Sequence, residues 1–269
     1  MLPPAPALLA VLAAKPRKTK LVADLHTGFF SDKKWRWAAK PSLMLLKRSS
    51  VIVTNDELAR YCSNLGVSAF VLHDPIDDRT SPYAGAGEYI LCPLSYANDE
   101  PVETILAAAS KLSTLEFRLT GNAPARVRER APKNVKFTGF VSTEQYERLV
   151  QNSAVVVALT TRDLTMQRAG YEALMAGIPQ VTADFPVLRA FLSDAARYAD
   201  PTDGAALSNA IAEILDDHRY YCERVRSVLT KRVSEQETEL LKLRKFLQGQ
   251  ALKPNFQAPS RSRIETMEN

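Results

Sequence analysis

The chain has 269 residues, 46% of them hydrophobic, which is enough for one large α/β domain or two smaller ones. Thirty-five basic residues against thirty acidic ones leave a formal charge of +5, which suits a phosphorylated ligand or an anionic membrane surface without requiring either. Cys62, Cys92 and Cys222 lie far apart with no metal-ligand spacing, which argues against a disulfide framework and a metal site and for a reducing compartment.

The apolar run 8–14 follows Pro3, Pro4 and Pro6 and is closed by Lys15-Pro16-Arg17-Lys18. It is too short to cross a bilayer and lacks the basic start of a signal peptide, so it reads as a surface or interdomain helix. Residues 21–25 predict a strand that ends at His26-Thr27-Gly28, and 35–48 a helix mixing basic residues with Trp35, Trp37, Leu43, Met44 and Leu45. A short buried strand at 51–54 follows, then a helix over 56–65 with Asn55 as its cap and Gly66 as its stop. A strand at 69–72 closes this half, which has the look of an incomplete α/β unit. Residues 79–87 turn to Ser, Pro, Gly and Asp and read as a linker.

A second α/β series begins with a strand at 89–92, a helix at 101–112 and a strand at 116–120 that ends on Gly121-Asn122. A short strand at 135–137 leads to Gly139, and Ser142 or Thr143 caps a helix reaching Gln151, with acidic residues in its first turns. The richest segment is 153–182. It reads as a buried strand, a polar turn, a helix opened by Thr165-Met166-Gln167 that carries Glu172, and a glycine stop at Gly177 before the next strand. Helices near 186–192 and 204–216 come next, then a long charged helix over about 220–248 with a packed stripe of Leu229, Val233, Leu240, Leu243 and Phe246. The residues after Ala251 read as a disordered basic-polar tail. The spacing of strand and helix favours parallel sheets covered on both faces.

The carboxyl edge of such a sheet is where phosphorylated ligands bind. Glu172, amid small apolar residues, needs a partner, and a ribose or sugar hydroxyl is one candidate. The amides that open its helix can hold a diphosphate, with Arg168 supplying charge or simply standing in solvent. Gly121 and Asn122 can approach a ligand or form an ordinary turn. The turn at Thr138-Gly139 can offer backbone groups to a base. His26 directly follows a strand end, where it can hold a sugar, carry a proton or be structural. His218 reads as a surface residue. Lys33-Lys34-Trp35-Arg36-Trp37 suits a lipid headgroup region, or else a helix start with both tryptophans turned inward. No nucleic-acid-binding module is present in the sequence.

Taken together, these residues resemble the retaining glycosyltransferases of family 4, most clearly over 89–216. Leu119-Thr120-Gly121-Asn122 is similar to the family's glycine strand-end motif, and Asn134-Val135-Lys136-Phe137-Thr138-Gly139-Phe140-Val141 to its segment beside the base. Glu172-Ala173-Leu174-Met175-Ala176-Gly177-Ile178-Pro179 is similar to the stretch after the second glutamate of its paired-glutamate motif. The resemblance implies two facing Rossmann-like domains with parallel sheets, the N-terminal one incomplete. Residues 1–78 would be a partial acceptor-side domain, 88–218 the nucleotide-sugar domain, 219–249 a long C-terminal helix and 250–269 the tail. It also implies that Glu172 holds the donor ribose. Gly121, Asn122, Thr138, Gly139, Thr165, Gln167 and Arg168 would complete the donor site.

The chain departs from the family in several places. The first glutamate of the pair falls on Leu164, with Asp163 adjacent as a substitute, and the usual glycine is Gln167. Cys92-Pro93-Leu94-Ser95-Tyr96 lacks the family's phosphate-contacting arginine, and Asn98-Asp99-Glu100 lacks the lysine that follows it. The first βαβ units of the acceptor domain, about 100 residues, have no counterpart. His26 matches the region of a family histidine near the donor sugar, so His26 and Asp163 are the catalytic candidates.

The expectation is a glycosyltransferase moving a sugar from a nucleotide-diphosphate sugar to a lipid-linked or polysaccharide acceptor, without a cofactor or metal. Either a separate chain would supply the missing strands, or the sequence is truncated, or the protein no longer catalyses. The protein would be cytoplasmic, at the inner face of a membrane if the acceptor is lipid-linked. The competing expectation is a non-catalytic relative that binds a nucleotide sugar or a protein partner.

Overall fold

The computed structural model describes residues 4–14, 20–31, 36–47 and 49–249. The chain divides into two units, Met1–Leu72 with Thr238–Asn269, and His73–Glu237. The first contains α1 (Pro4–Ala14), β1 (Val22–Leu25), α2 (Thr27–Ser31), α3 (Arg36–Leu45), β2 (Ser50–Val53), α4 (Asp56–Asn64) and β3 (Ser68–Val71). Its three strands are parallel in the order β1-β2-β3. Val51 and Val53 of the middle strand are fully buried. The start of α4 is set by Asn55, whose side-chain oxygen accepts from the Leu58 amide at 3.0 Å, and its end by Gly66 at φ 76°. Such a cap is worth about 1 kcal/mol. The five-residue α2 is too short to show a helical period in the sequence.

The second unit carries β4 (Tyr89–Cys92), α5 (Val102–Lys111), β5 (Phe117–Thr120), α6 (Ala125–Arg130), β6 (Val135–Gly139), α7 (Thr143–Gln151), β7 (Ser153–Ala158), α8 (Arg168–Ala176), β8 (Gln180–Ala183), α9 (Pro186–Leu192), β9 (Ala196–Ala199), α10 (Gly204–Asp216) and the start of α11 (His218–Leu247). All six strands are parallel, in the order β6-β5-β4-β7-β8-β9. Every residue of β4 and β7 is buried, as expected of central strands covered on both faces. Ile90, Cys92, Val155 and Val157 face α5 and α10 through Ile105, Leu207 and Ile211. Tyr89, Leu91 and Val156 face α7 and α8 through Val150 and Ala173. From β4 the chain builds outward through β5 and β6. From β7 it builds the other way through β8 and β9. The order therefore switches between β4 and β7, and ligands of open α/β sheets lie outside the carboxyl ends of the strands at such a point.

Several sequence expectations are corrected. His218 is not a surface residue: it is 6% exposed, and its Nε2 lies 2.8 Å from the Ala154 carbonyl oxygen. The packed stripe of α11 holds Leu229 and Val233 as expected, and Phe246 packs on Phe70, but it also extends earlier through Tyr221, Cys222, Val225 and Val228, and Leu240 is exposed. Trp37 is 70% exposed rather than turned inward. Two further elements, α6 and β9, have no counterpart in the sequence expectations. The Ala-Arg-Tyr-Ala of β9 has little strand propensity, and it is a strand because β8 offers it an edge. Lys33, Lys34 and Trp35, and the tail expected at 250–269, lie outside the described residues.

Candidate functional site at the topological switch point

Two loops meet at the switch, 93–101 after β4 and 159–167 after β7. In the first, the Ser95 amide donates to Glu100 Oε2 at 3.0 Å, the Ala97 amide to the same oxygen at 2.9 Å, and the Ser95 hydroxyl to Oε1 at 3.1 Å. Tyr96, between the two amides, has φ 60°. A left-handed residue between others turns successive amides toward one point, forming an anion-binding nest. Asp99 ties this loop to the second. Its Oδ2 accepts from Thr160 Oγ1 at 3.0 Å and its Oδ1 from the Arg162 guanidinium at 3.2 Å, while its carbonyl accepts from the Thr161 amide at 2.8 Å.

In the second loop Leu164 is buried and holds φ 59°. The Asp163 carboxylate turns back to accept from the Leu164 amide at 2.6 Å. Asp163 is exposed, and Thr165 donates to its carbonyl at 3.4 Å. Gln167 stands at the N-cap of α8 without a side-chain capping bond.

α8 starts at Arg168, directly after Thr165-Met166-Gln167, and ends at Gly177 in the left-handed conformation, φ 76°. Its inner face is small for a reason. A Cβ on Gly170 would come within 2.8 Å of Gln180 Oε1, and Gln180 donates to the Gly170 carbonyl at 2.9 Å, so the helix lies close on β8. Glu172 is partly covered, with its side chain 23% exposed. Arg168 Nε lies 2.8 Å from its Oε1, one turn away on the same face. Tyr146 of α7 lies close enough to Glu172 for the carboxylate's charge to act on its phenol. Burial first, and then the Glu172 charge, push the Tyr146 phenol well above its usual range, so it stays a donor. Tyr146 is a site residue that the sequence did not reveal, since nothing in it shows which α7 residue faces α8.

Gly121 and Gly139 meet at the carboxyl ends of β5 and β6, where the Gly121 amide donates to the Gly139 carbonyl at 2.9 Å. Gly121 has φ 76°, and a Cβ there would stand 2.1 Å from the Leu94 carbonyl oxygen, so its glycine is demanded by the loop after β4. Gly139 has φ 71° with open space beside it. Thr138 donates to the Gly139 carbonyl at 3.0 Å, and Asn122 is exposed. In the first unit, His26 follows β1, with Nε2 3.5 Å from Asp24 Oδ2 and both side chains well exposed.

A groove of about 900 Å³ lies at the opposite, amino edge of the second unit's sheet, bordered by Tyr89, Ser153, Gly177 and His218. Of the candidate residues only Thr138 borders it. Among the described residues no group of His, Cys, Asp and Glu is placed to hold a metal ion. No described helix is long and apolar enough to cross a membrane.

Residues 88–217, just under half of the chain, match the family model described as Glycosyl transferases group 1. Together with the fold, this supports a glycosyltransferase. Among solved structures, the chain is similar to Alr3699/HepE of Anabaena in complex with UDP and glucose, at 15% identity and a TM-score of 0.70, over 88% of this chain and 74% of that one. It is also similar to sucrose-phosphate synthase of Thermosynechococcus elongatus, at 16% identity and 0.67, over 85% and 67%. A glycosyltransferase of Rickettsia africae gives 14% identity and 0.69, over 92% and 76%. No curated protein sequence matches the chain.

Proposed function

We propose that this protein binds a nucleotide-diphosphate sugar at the switch point of its second unit and transfers the sugar to a lipid-linked or polysaccharide acceptor. The observation that carries this reading is the partly covered Glu172 carboxylate on α8, the helix that follows β7, paired with Arg168. A carboxylate so placed accepts two ribose hydroxyls. Loss of the nucleoside diphosphate builds negative charge on the leaving oxygens, which fixed cations and amides stabilise. Arg162 and Arg168 are the cations at hand. His26 would hold a sugar hydroxyl or carry a proton, with Asp163 facing the sugar. The family match and the neighbours solved with UDP support the donor class. The resemblance to family 4 adds retention of anomeric configuration, and a lipid-linked acceptor would place the reaction at the inner face of a membrane.

A specific observation favours a second reading, a nucleotide-sugar binder without turnover. Leu164 stands where the family carries a carboxylate, and Arg162 and Arg168 are both paired to carboxylates of this chain. Calorimetry tests the shared step. UDP is expected to bind more tightly than uridine, and Glu172→Ala to weaken both by about tenfold or more through loss of a charged acceptor. Absence of UDP binding, or an E172A protein that binds as well as the parent, removes the donor-site assignment. Release of free sugar from UDP-glucose then separates turnover from binding.

A further inference from the structure

At the switch point the polar groups of the two loops are engaged by the chain itself. Two amides and a hydroxyl of the 93–101 loop converge on both oxygens of Glu100, the arrangement that otherwise receives a phosphate. Asp99 engages Arg162 and Thr160 of the facing loop. Both loops carry strain. Among the described residues only Tyr96, Leu164 and Ser193 are non-glycine residues with positive φ, and the first two lie here. The Tyr96 hydroxyl is also buried without a hydrogen-bond partner, and burial pushes its phenol up to about 12. Strain of this kind persists where the surrounding structure enforces it and collects at ligand sites. Glu100 lies in the loop before α5, so its side chain can leave the nest by rotation without disturbing a helix.

We infer that Glu100 is the resident occupant of an anion cradle, and that a diphosphate enters this site by displacing it. The proposal rests on the nucleotide reading above and adds the residue that sets which charges the site accepts. With Glu100 in the nest and Asp99 on Arg162, a diphosphate meets a carboxylate where it needs donors and a cation already paired. A neutral nucleoside does not use the nest and is indifferent to both. Glu100 is thus a specificity-determining residue, tuning the affinity for the phosphate part of the ligand alone.

The test uses Glu100→Gln, which keeps the side chain's volume and one acceptor oxygen but removes its charge, and Glu100→Asp, which draws the charge back by one methylene. Calorimetry is run on the full chain with pyrophosphate, UDP and uridine, and circular dichroism melts confirm that each variant is folded. E100Q is expected to bind pyrophosphate and UDP about tenfold more tightly than the parent, E100D to fall between them, and uridine to be unchanged. Equal or weaker binding of both anions by E100Q and E100D overturns the proposal and leaves Glu100 as a brace for its loop. If the parent binds UDP and the variants bind it equally, the nucleotide reading stands and this inference falls. If E100Q gains pyrophosphate affinity while UDP binds no better than pyrophosphate and uridine not at all, the cradle stands and the nucleotide reading falls. Absence of all binding overturns both.

Discussion

At the scale of single residues, the glycine at the end of β5 shows how a motif can serve the ligand by serving the chain. Gly121 looks like a residue that lets a ligand approach the backbone. What approaches it is the Leu94 carbonyl, 2.1 Å from where a Cβ would sit, on the same loop whose amides hold Glu100. Gly121→Ala is therefore expected to cost about 2 kcal/mol or more in urea denaturation, from the forced φ of 76° and the displaced loop. A loss of under about 0.5 kcal/mol would show that the loop yields easily. Composition and spacing revealed the turn, because glycine after a short apolar strand has few other uses. They did not reveal that the turn's neighbour is backbone, because the Leu94 contact joins segments 27 positions apart. The occupancy of the Ser95 and Ala97 amides was hidden for a related reason: main-chain donors leave no mark in the residue names. Asp99 and Glu100 registered in the sequence only as an absent lysine, whereas the structure makes them the partners of Arg162 and of the nest.

At the scale of elements, α8 brings sequence pattern and chemistry together. Arg168 and Glu172 are one turn apart, so their sharing a face was legible from spacing, and the 2.8 Å ion pair follows. With the Arg168 side chain 84% exposed, the pair adds little to stability. Arg168 can thus move from Glu172 to a diphosphate without unfolding the helix. Arg168→Ala is expected to weaken UDP binding by about tenfold and uridine binding by less than about twofold, since only the charged ligand loses a charge-assisted bond. Equal losses for the two ligands would reduce Arg168 to a support for Glu172. The strands that define this site were legible because β4 and β7 are unbroken apolar runs of strand length. The short α6 and β9 were not, since one turn of helix or four residues of edge strand carry no period of their own. His218 was misjudged because its environment is made by packing at a distance: 64 residues separate it from the Ala154 carbonyl that it meets.

At the scale of the whole molecule, the surface of the first unit sets a question apart from the donor site. α1 is built only of Pro, Ala, Leu and Val, so no polar face identifies a solvent side, and its Val11 is 47% exposed. α3 packs against α1 and exposes Trp37, Met44 and Leu45, at 70%, 54% and 40%. Arg36 and Lys40 are exposed on the same helix, Lys47 follows it, and α3 has no acidic residue. Apolar and aromatic side chains framed by basic ones suit the boundary between headgroups and acyl chains of an anionic bilayer. The chain's net charge of +5 works in the same direction. If the acceptor is lipid-linked, the full chain is expected to sediment with vesicles containing anionic lipid at low salt, and to be released as salt is raised, because each basic residue near the surface contributes about 1 kcal/mol that screening removes. Arg36→Glu with Lys40→Glu is expected to reduce sedimentation by about tenfold or more, and Trp37→Ala to weaken it further. UDP binding should not change in either variant, since these residues belong to the first unit and the donor site to the second. Sedimentation that is equal with neutral vesicles, or unaffected by the charge reversals, would assign this apolar surface to a protein partner instead.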